Sequence, residues 1–353
     1  MPDSFSPRDF ILGTLVGFLV AVALVSIGTF AFLRTSDAYS LGHWKLNLRT
    51  PLGSMWMNLG FWKTDDGKPT EHFDEATRAL LQQILEAAGL RAKDDSPAGQ
   101  DSVAVLDLGF GCGDQTMALA RLIRAENRSR FRYVGLTLDE AQLQTARRTL
   151  DRAFASGNGG EAAGLSPDWF KLFRANAARP ETWSRAIRSS VEGLAHEAFS
   201  ERWLMALDCL YHFSPSRRPV FKFAAKTLNA HVMAFDLILD EEASNWNTLL
   251  VRLVGLVMGC PLRTFLTEAQ YRQQLVECGY NGEHIEIRDI SDHVFAGVSG
   301  YLKRQEAALG QYGISLGGFK LAGRLFAWFD RTRVVKAAIV VGRTKKGDKL
   351  NDV

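Results

Sequence analysis

The sequence lacks a strong excess of charge of either sign. Its 353 residues include 42 lysines and arginines and 39 aspartates and glutamates, which give a formal net charge of +3. An excess this small does not create a strongly positive field, so we expect no nucleic-acid partner. Apolar residues make up 46% of the chain and charged residues 23%, which is the composition of a globular protein. The chain is therefore expected to form a packed domain rather than a disordered one.

Cysteine is scarce as well. The four cysteines, Cys112, Cys209, Cys260 and Cys278, are scattered along the chain, and none belongs to a C-x-x-C pair. This spacing argues against a zinc site and against a disulfide framework. We therefore expect free thiols in a reducing compartment, and no bound metal.

One long apolar run stands near the start of the chain. Residues 10–33 read FILGTLVGFLVAVALVSIGTFAFL and contain no charged side chain, a length that can cross a bilayer core of about 30 Å as a helix. A cleaved signal peptide has a shorter apolar region, about 7 to 15 residues, after a basic start. Basic residues follow the run instead, at Arg34, Lys45 and Arg49. The sequence predicts a single-pass transmembrane helix with the part of the chain that follows it in the cytosol, and the endoplasmic reticulum is one candidate membrane.

Beyond this run, apolar strand-like segments alternate with helical ones, a pattern typical of a parallel α/β sheet. We expect a Rossmann-like fold: a mostly parallel seven-stranded sheet with helices on both faces, closed by a late antiparallel edge pair. The predicted division is a linker and helical cap at 34–100, a core at 101–240, an inserted helical cap at 241–283, and strands and a helix at 284–346. The predicted strands are 103–108, 133–138, 169–174, 203–207, 232–235, 284–290 and 334–342.

The strongest local signal is VAVLDLGFGCGDQ at residues 103–115, where a buried strand runs into three glycines spaced two apart and then into a helix. Glycine lets the backbone approach a ligand closely, and the helix start offers N–H groups. Dinucleotide-binding loops have the spacing G-x-G-x-x-G instead. The carboxylate of Asp107, just before the glycines, suits a ligand that carries an ammonium group. The alternative is a tight turn that binds nothing.

The segment DLGFGCGDQ resembles the first motif of class I S-adenosylmethionine-dependent methyltransferases. GLTLDEAQ, at residues 135–142, is similar to the G-L-T-L-S-x-x-Q segment of the cyclopropane fatty acid synthase and mycolic acid methyltransferase group, near the sterol and tocopherol methyltransferases. The resemblance implies S-adenosylmethionine as the cofactor. Asn176 stands where such families often have an aspartate, and its side-chain oxygen can accept the adenine amino hydrogen. The cofactor-binding residues that the resemblance implies are Asp107, Gly109, Gly111, Gly113, Asp114, Gln115, Thr137, Leu138, Gln142, Asn176, Ala177, Asp208 and Trp62.

Two candidate catalytic residues follow the predicted fourth strand in MALDCLYHF, residues 205–213. His212 is the natural base because an unperturbed histidine has a pKa near neutrality, although it could equally cap a helix or bond the backbone. Tyr211 could attract the sulfonium through its ring, or simply pack. Upstream, MWMNLGFW at residues 55–62 is similar to an aromatic-glycine-aromatic segment that lies over the cofactor, which places Trp62 at the methionine end.

The predicted cap is the clearest indication of the acceptor. TLLVRLVGLVMGCPLRTFL, residues 248–266, has only two charged side chains, which favours a lipophilic acceptor, although a buried helix explains it equally well. Residues 316–329 could lie on a bilayer as an amphipathic helix, but core packing is the more common explanation. We therefore expect a methyltransferase of lipid metabolism that acts on a small, lipophilic acceptor at a membrane. The alternatives are a nicotinamide-dependent reductase and a non-catalytic, membrane-anchored adaptor that retains the fold, and the sequence does not indicate an oligomeric state.

Overall fold

The structure is a computed structural model that describes residues 7–34, 54–64, 66–91, 102–125, 130–155, 164–311 and 314–345. The predicted basic residues Lys45 and Arg49 lie outside the described residues. The helices are α1 (Pro7–Arg34), α2 (Phe73–Ala87), α3 (Asp114–Ala125), α4 (Glu140–Ala155), α5 (Arg185–Glu192), α6 (Arg218–Phe223), α7 (Asn245–Val257), α8 (Glu268–Cys278), α9 (Phe295–Gly310) and α10 (Gly318–Thr332). The strands are β1 (Val103–Leu108), β2 (Phe131–Thr137), β3 (Phe170–Arg174), β4 (Glu201–Leu207), β5 (His231–Leu239), β6 (Tyr280–Asp289) and β7 (Val335–Thr344).

The seven strands form one sheet in the order β3-β2-β1-β4-β5-β7-β6. Strands β1 to β5 are parallel to one another, whereas β7 lies antiparallel between β5 and β6. This confirms the predicted mostly parallel sheet and its late antiparallel pair. The central strands β1 and β5 are buried along their whole length, which is typical of parallel strands covered on both faces.

Helices cover both faces of the sheet, because successive strand residues point to opposite sides. In β1, Val103 and Val105 belong to the cluster that α2, α3, α4, α9 and α10 complete. Ala104 and Leu106 belong to the cluster on the other side, together with residues of α5, α6 and α8. Helix α10 buries Phe326 and Phe329 in the first cluster, which agrees with core packing, the more common of the two explanations considered for this segment.

Helix α1 covers the uncharged run near the start of the chain. Its side chains are described from residue 12 to residue 27, and all of them are exposed. Within the described part of the chain, no helix is long and apolar enough to cross a membrane. The predicted transmembrane helix is therefore not supported by the described residues.

Candidate active site

The glycine loop connects β1 to α3 at the carboxyl edge of the sheet. Gly111 and Gly113 have φ angles of +66° and +98°, a region that side chains other than glycine rarely adopt. A Cβ at Gly113 would lie 2.9 Å from the Cα of Ala146 in α4, and one at Gly111 would lie 3.1 Å from the Sδ of Met57. The loop thus needs glycine for its backbone conformation and also for close packing against α4 and against the segment that crosses it.

Residues 54–62, here called the strap, cross the glycine loop. The backbone N–H of Met55 donates to Oδ2 of Asp114 over 3.1 Å, and that of Leu59 donates to Oδ2 of Asp208 over 2.9 Å. The cavity between the strap and the loop has a volume of about 20 Å³, room for roughly one water molecule. A nucleoside-sized ligand can reach the loop only if the strap moves.

Asp107 is fully buried at the end of β1, and its oxygens are used within the protein. They accept hydrogen bonds from Nε2 of Gln115, at 2.9 and 3.0 Å, and from the hydroxyl of Tyr133, at 2.6 Å. Burial raises the pKa of the Asp107 carboxyl to about 7, although both hydrogen-bond partners act to lower it. This carboxylate was predicted to meet a ligand ammonium, but here it is turned inward to Gln115 and Tyr133.

The end of β2 brings the next predicted cofactor contacts together. The Thr137 hydroxyl donates to Oε1 of Gln142 over 2.8 Å, and the Gln142 backbone N–H donates to Oδ1 of Asp139 over 2.8 Å. Asp139 therefore caps the first turn of α4. Leu138 is 64% exposed, which leaves an apolar side chain at the carboxyl edge of the sheet for a flat ring to rest on.

Asn176 follows β3 and holds its own turn. Its Oδ1 accepts the backbone N–H of Ala178 over 3.0 Å, and its backbone carbonyl accepts the indole N–H of Trp183 over 2.9 Å. Ala177 is buried beneath it. Since a side-chain amide oxygen has two lone pairs, one acceptor direction of Asn176 serves the turn and the other is the one that an adenine amino group would need.

Asp208 follows β4 with a φ of +64°, a strained conformation for a residue with a side chain. Its Oδ1 accepts the Tyr211 hydroxyl over 2.8 Å, while its Oδ2 holds the strap through Leu59. Burial raises the pKa of Asp208 to about 7, and these two hydrogen bonds oppose the rise. The ring of Tyr211 stacks on Phe265 with ring centroids 6.4 Å apart. Asp208 therefore connects the strap, the β4 tip and the segment after α7.

His212 has a much lower pKa than the sequence analysis assumed. Burial lowers the pKa of its imidazole to about 4, so the ring is neutral at physiological pH. Its Nδ1 lies 3.5 Å from Sγ of Cys260, beyond the end of α7, and its ring packs 4.4 Å from that of Tyr211. A neutral ring can accept a proton, but with this pKa it is a weak base.

Trp62 is placed differently from the prediction. It is 6% exposed and packs against Phe73 of α2 and Tyr301 of α9, with ring centroids 6.2 and 5.2 Å apart. Its indole N–H donates to the carbonyl of Leu59 over 2.8 Å, and a Cβ at Gly297 would overlap its ring. Trp62 therefore anchors the end of the strap in the core and does not face the glycine loop. Trp56, which lines the small cavity, is the strap tryptophan nearer the loop.

A buried polar network that was not predicted from the sequence lies behind the site. Arg217 pairs with Asp236 of β5 and also donates to the backbone carbonyl of Thr264. The Tyr271 hydroxyl donates to Asp236 over 3.0 Å, and the Arg217 guanidinium lies 4.9 Å from the centre of the Tyr271 ring. The attraction to Asp236 raises the pKa of Arg217 despite its burial, whereas burial raises the pKa of the Asp236 carboxyl and the charge of Arg217 opposes that rise. The sequence does carry a signal for this network, because Asp236 lies inside the apolar run HVMAFDLIL and a buried carboxylate requires a buried partner.

Together, these elements place Asp107, the glycine loop and Asp208 at the carboxyl ends of neighbouring strands, with the strap over them. This edge of an open α/β sheet is where such folds bind ligands. Trp62 lies away from it, packed in the core, and His212 lies on the side of the site toward α7.

No family model and no curated protein sequence matches the chain. Several solved structures do share its fold. The [4+2]-cyclase SpnF is 16% identical, with a TM-score of 0.55, over 89% of this chain and 96% of that one. The cyclopropane synthase MmaA2 from Mycobacterium tuberculosis is 14% identical, with a TM-score of 0.55, over 88% and 95%. Geranyl diphosphate C-methyltransferase from Streptomyces coelicolor A3(2), in complex with Mg²⁺, geranyl diphosphate and S-adenosyl-L-homocysteine, is 13% identical, with a TM-score of 0.51, over 88% and 98%. The chain has the class I methyltransferase fold, as its motifs predicted.

Proposed function

We propose that the protein is an S-adenosylmethionine-dependent methyltransferase that acts on a small, lipophilic acceptor at a membrane. The observation that carries the proposal is the glycine loop, which lies between Asp107 and Asp208 at the carboxyl edge of a methyltransferase-type sheet. The fold alone does not fix the reaction, since a fold can host several chemistries and SpnF is a cyclase. The motifs at residues 107–115 and 135–142 resemble those of methyltransferases and stand on a methyltransferase-type fold, and this agreement favours methyl transfer.

The residues present suit the cofactor in kind. The glycine loop and the start of α3 would hold the methionine end of the cofactor. Thr137, Leu138 and Gln142 would contact its ribose and adenine ring, and Asn176 would accept a hydrogen bond from the adenine amino group. S-adenosylmethionine supplies a methyl group activated by a sulfonium. The volume of about 20 Å³ under the strap is far too small for it, so the proposal includes movement of the strap.

Two groups of this chain could move a proton from the acceptor. Asp208, with its pKa near 7, is largely ionised just above neutral pH, and Tyr211 orients one of its oxygens. His212 is neutral but weakly basic. A positive charge placed beside Asp208 would lower its pKa and favour the carboxylate. Asp208 is thus the stronger candidate for a role that the sequence analysis gave to His212.

The lipophilic acceptor is supported by the side chains on the α7 side of the site. Phe265 stacks on Tyr211, and Val251 and Cys260 are buried nearby in the same apolar cluster. One structural neighbour was solved with geranyl diphosphate, which has an apolar chain. Attachment to a membrane through α1, with the catalytic part on the cytosolic side, is supported by the uncharged sequence of residues 10–33 and by the exposed apolar side chains of α1.

The nicotinamide-dependent alternative is disfavoured by two features. The glycine spacing is G-x-G-x-G, and the sheet carries an antiparallel strand, β7, between β5 and β6. The dinucleotide-binding sheet has the order 3-2-1-4-5-6 and binds its pyrophosphate on a G-x-G-x-x-G loop. No feature of the described residues favours the non-catalytic adaptor, and a measurement of cofactor binding distinguishes it from the two enzymes.

Calorimetry of the full chain with S-adenosylmethionine and, separately, with NADPH tests the proposal. We expect the first ligand to bind and the second not to. Binding of NADPH alone would refute the proposal, and binding of neither would favour the adaptor. Incubation of the membrane-embedded protein with methyl-labelled cofactor and a total lipid extract should then yield a labelled lipid.

Gly111→Ala tests the site, with Gly317→Ala as its matched control. Both glycines have positive φ angles, +66° and +58°, but only Gly111 has an atom of the strap close to its Cβ position. Each substitution should lower the free energy of unfolding by about 1–3 kcal/mol, because each places a side chain in a sparsely populated backbone conformation. Only Gly111→Ala should also weaken cofactor binding, on the order of tenfold, about 1.4 kcal/mol. Equal cofactor affinity in the two variants would remove the loop from the site.

A further inference from the structure

Helix α7 has an apolar face that points away from the protein. Its members, here called the α7 apolar face, recur every three or four residues and so lie along one side of the helix. They are Trp246 (71% exposed), Leu249 (46%), Leu250 (37%), Leu253 (48%) and Leu256 (45%). Leu262, in the loop after α7, is 49% exposed. An exposed apolar stripe of this kind marks an interaction surface.

The opposite side of α7 faces the candidate active site. Val251 is buried in the core, and Gly255 is buried because Phe265 packs against it, close enough that a Cβ there would lie 2.6 Å from the ring. Phe265 in turn stacks on Tyr211. One helix thus separates the α7 apolar face from the residues proposed to handle the acceptor.

The same apolar surface continues onto α1. Helix α1 contacts α7, and its described side chains, from residue 12 to residue 27, are exposed on every side. A helix that is apolar all round is stable when its surroundings are apolar too. A second protein copy would cover one side of such a helix, whereas a lipid phase covers all of them.

The charges near α7 agree with a lipid surface. Between residues 245 and 265 the only charged side chains are Arg252 and Arg263, both positive, and Arg263 is exposed next to Leu262. Basic side chains beside an apolar stripe suit the interface of a bilayer that contains anionic lipids. The acidic residues nearest in sequence are Glu242, which precedes the helix, and Glu268, the first residue of α8.

We propose that the α7 apolar face, Leu262 and α1 contact one lipid bilayer, so that the α7 side of the active site lies on the membrane and receives its acceptor from it. The docking surface stands on α1 and α7 alone, while the delivery of an acceptor rests on the proposed methyltransferase function. An interfacial helix buries its apolar face about 5–10 Å into the boundary between headgroups and acyl chains. Leu253, near the middle of the stripe, should reach that depth.

The test places an environment-sensitive fluorophore at residue 253 of the full chain, through Leu253→Cys. The matched control is Val276→Cys, because Val276 is 36% exposed on α8, which packs on the opposite face of the sheet. The native cysteines are buried or half-buried, so the introduced thiol is the reactive one. The probe membrane is a vesicle of phosphatidylcholine and phosphatidylglycerol, with spin-labelled lipid as one quencher and aqueous iodide as the other.

On vesicles, the label at 253 should emit at shorter wavelength, be quenched by the spin-labelled lipid and lose its quenching by iodide. The label at 276 should remain open to iodide. Equal iodide quenching at the two positions on vesicle-bound protein would overturn the proposal, as would failure of the chain to float with the vesicles. Protection of 253 in detergent that grows with protein concentration would also overturn it, in favour of a second copy.

Calorimetry with S-adenosylmethionine on the same labelled variants separates this proposal from the proposed function. Cofactor binding without lipid contact at 253 would overturn the docking surface alone. Lipid contact without cofactor binding would overturn the methyltransferase and leave the docking surface in place.

Discussion

Asp107→Asn should remove much of the dependence of stability on pH near neutrality. In the native protein this carboxyl is fully buried, and among the described residues it accepts hydrogen bonds from Gln115 and Tyr133, which are uncharged. Burial therefore raises its pKa from 3.8 to about 7. Asparagine has nearly the same shape, can accept from Gln115 and can donate to the Tyr133 oxygen, but does not titrate.

The sign follows from proton binding. The folded-state pKa of Asp107 is raised, so between about pH 4 and pH 7 the native protein holds a proton that the unfolded chain has released. The stabilisation that this carboxyl adds to the free energy of unfolding is thus complete below pH 4 and is lost as the pH rises to 7. Each pH unit corresponds to about 1.4 kcal/mol, so from pH 5 to pH 7 the native protein should lose at most about 3 kcal/mol through this carboxyl.

Urea unfolding of both proteins at pH 5 and pH 8 measures the effect. The free energy of unfolding of the wild type should fall over this range. The fall in Asp107→Asn should be smaller, by up to about 3 kcal/mol, a difference well above the error of the extrapolation. Asp208→Asn is the parallel comparison, because burial raises the pKa of Asp208 to about 7 as well, so this substitution should remove a pH dependence of similar size. If Asp107→Asn keeps the wild-type dependence on pH, the buried carboxyl is already ionised and the reasoning from burial is refuted.

Three further substitutions test other parts of the site. His212→Asn should leave the pH–rate profile unchanged above pH 6, since the pKa of this ring is about 4, and an inflection near pH 7 should persist and disappear only in Asp208→Asn. Arg217→Met should lower the free energy of unfolding by about 3–5 kcal/mol because it leaves Asp236 buried without its cation, and chemical denaturation would show a smaller loss if the pair were dispensable. Trp62→Phe should lower stability by about 1–3 kcal/mol while the calorimetric affinity for S-adenosylmethionine stays the same, and a weaker affinity at unchanged stability would restore Trp62 to the cofactor site.

Much of the sheet could be predicted from the sequence because its strands are short apolar runs separated by helices. The predicted strand at 232–235 was too short, since β5 extends to Leu239. The polar Asp236 interrupts the apolar pattern, and only the presence of Arg217 and Tyr271 beside it explains how the strand continues. The position of β7 between β5 and β6 could not be predicted either, because periodicity gives a strand but not its neighbours.

The glycine loop was predictable for the same local reason, as strand, loop and helix are contiguous in sequence. The partners of its residues were not. Asp107 accepts a hydrogen bond from Tyr133 of the neighbouring strand β2, and Met57, which packs against Gly111, lies more than fifty residues upstream. The pKa of His212 depends on burial near the end of α7, beside Cys260, which also lies far away in sequence. Local patterns identify the kind of site, whereas its protonation states depend on contacts between distant segments.

The strap links the stability of the site to its occupation. Two of its hydrogen bonds, from Met55 to Asp114 and from Leu59 to Asp208, hold it to the end of the glycine loop and to the tip of β4. A net hydrogen bond to a charged group contributes about 1.5–3 kcal/mol, so breaking these two bonds costs on the order of 3–6 kcal/mol before any ligand contact forms. The apparent free energy of cofactor binding is weakened by that amount, because only the fraction of molecules with an open strap can bind. Since Asp208 loses its charge as the pH falls through about 7, its bond to the strap weakens there, and the site should open most easily on the acid side of neutrality.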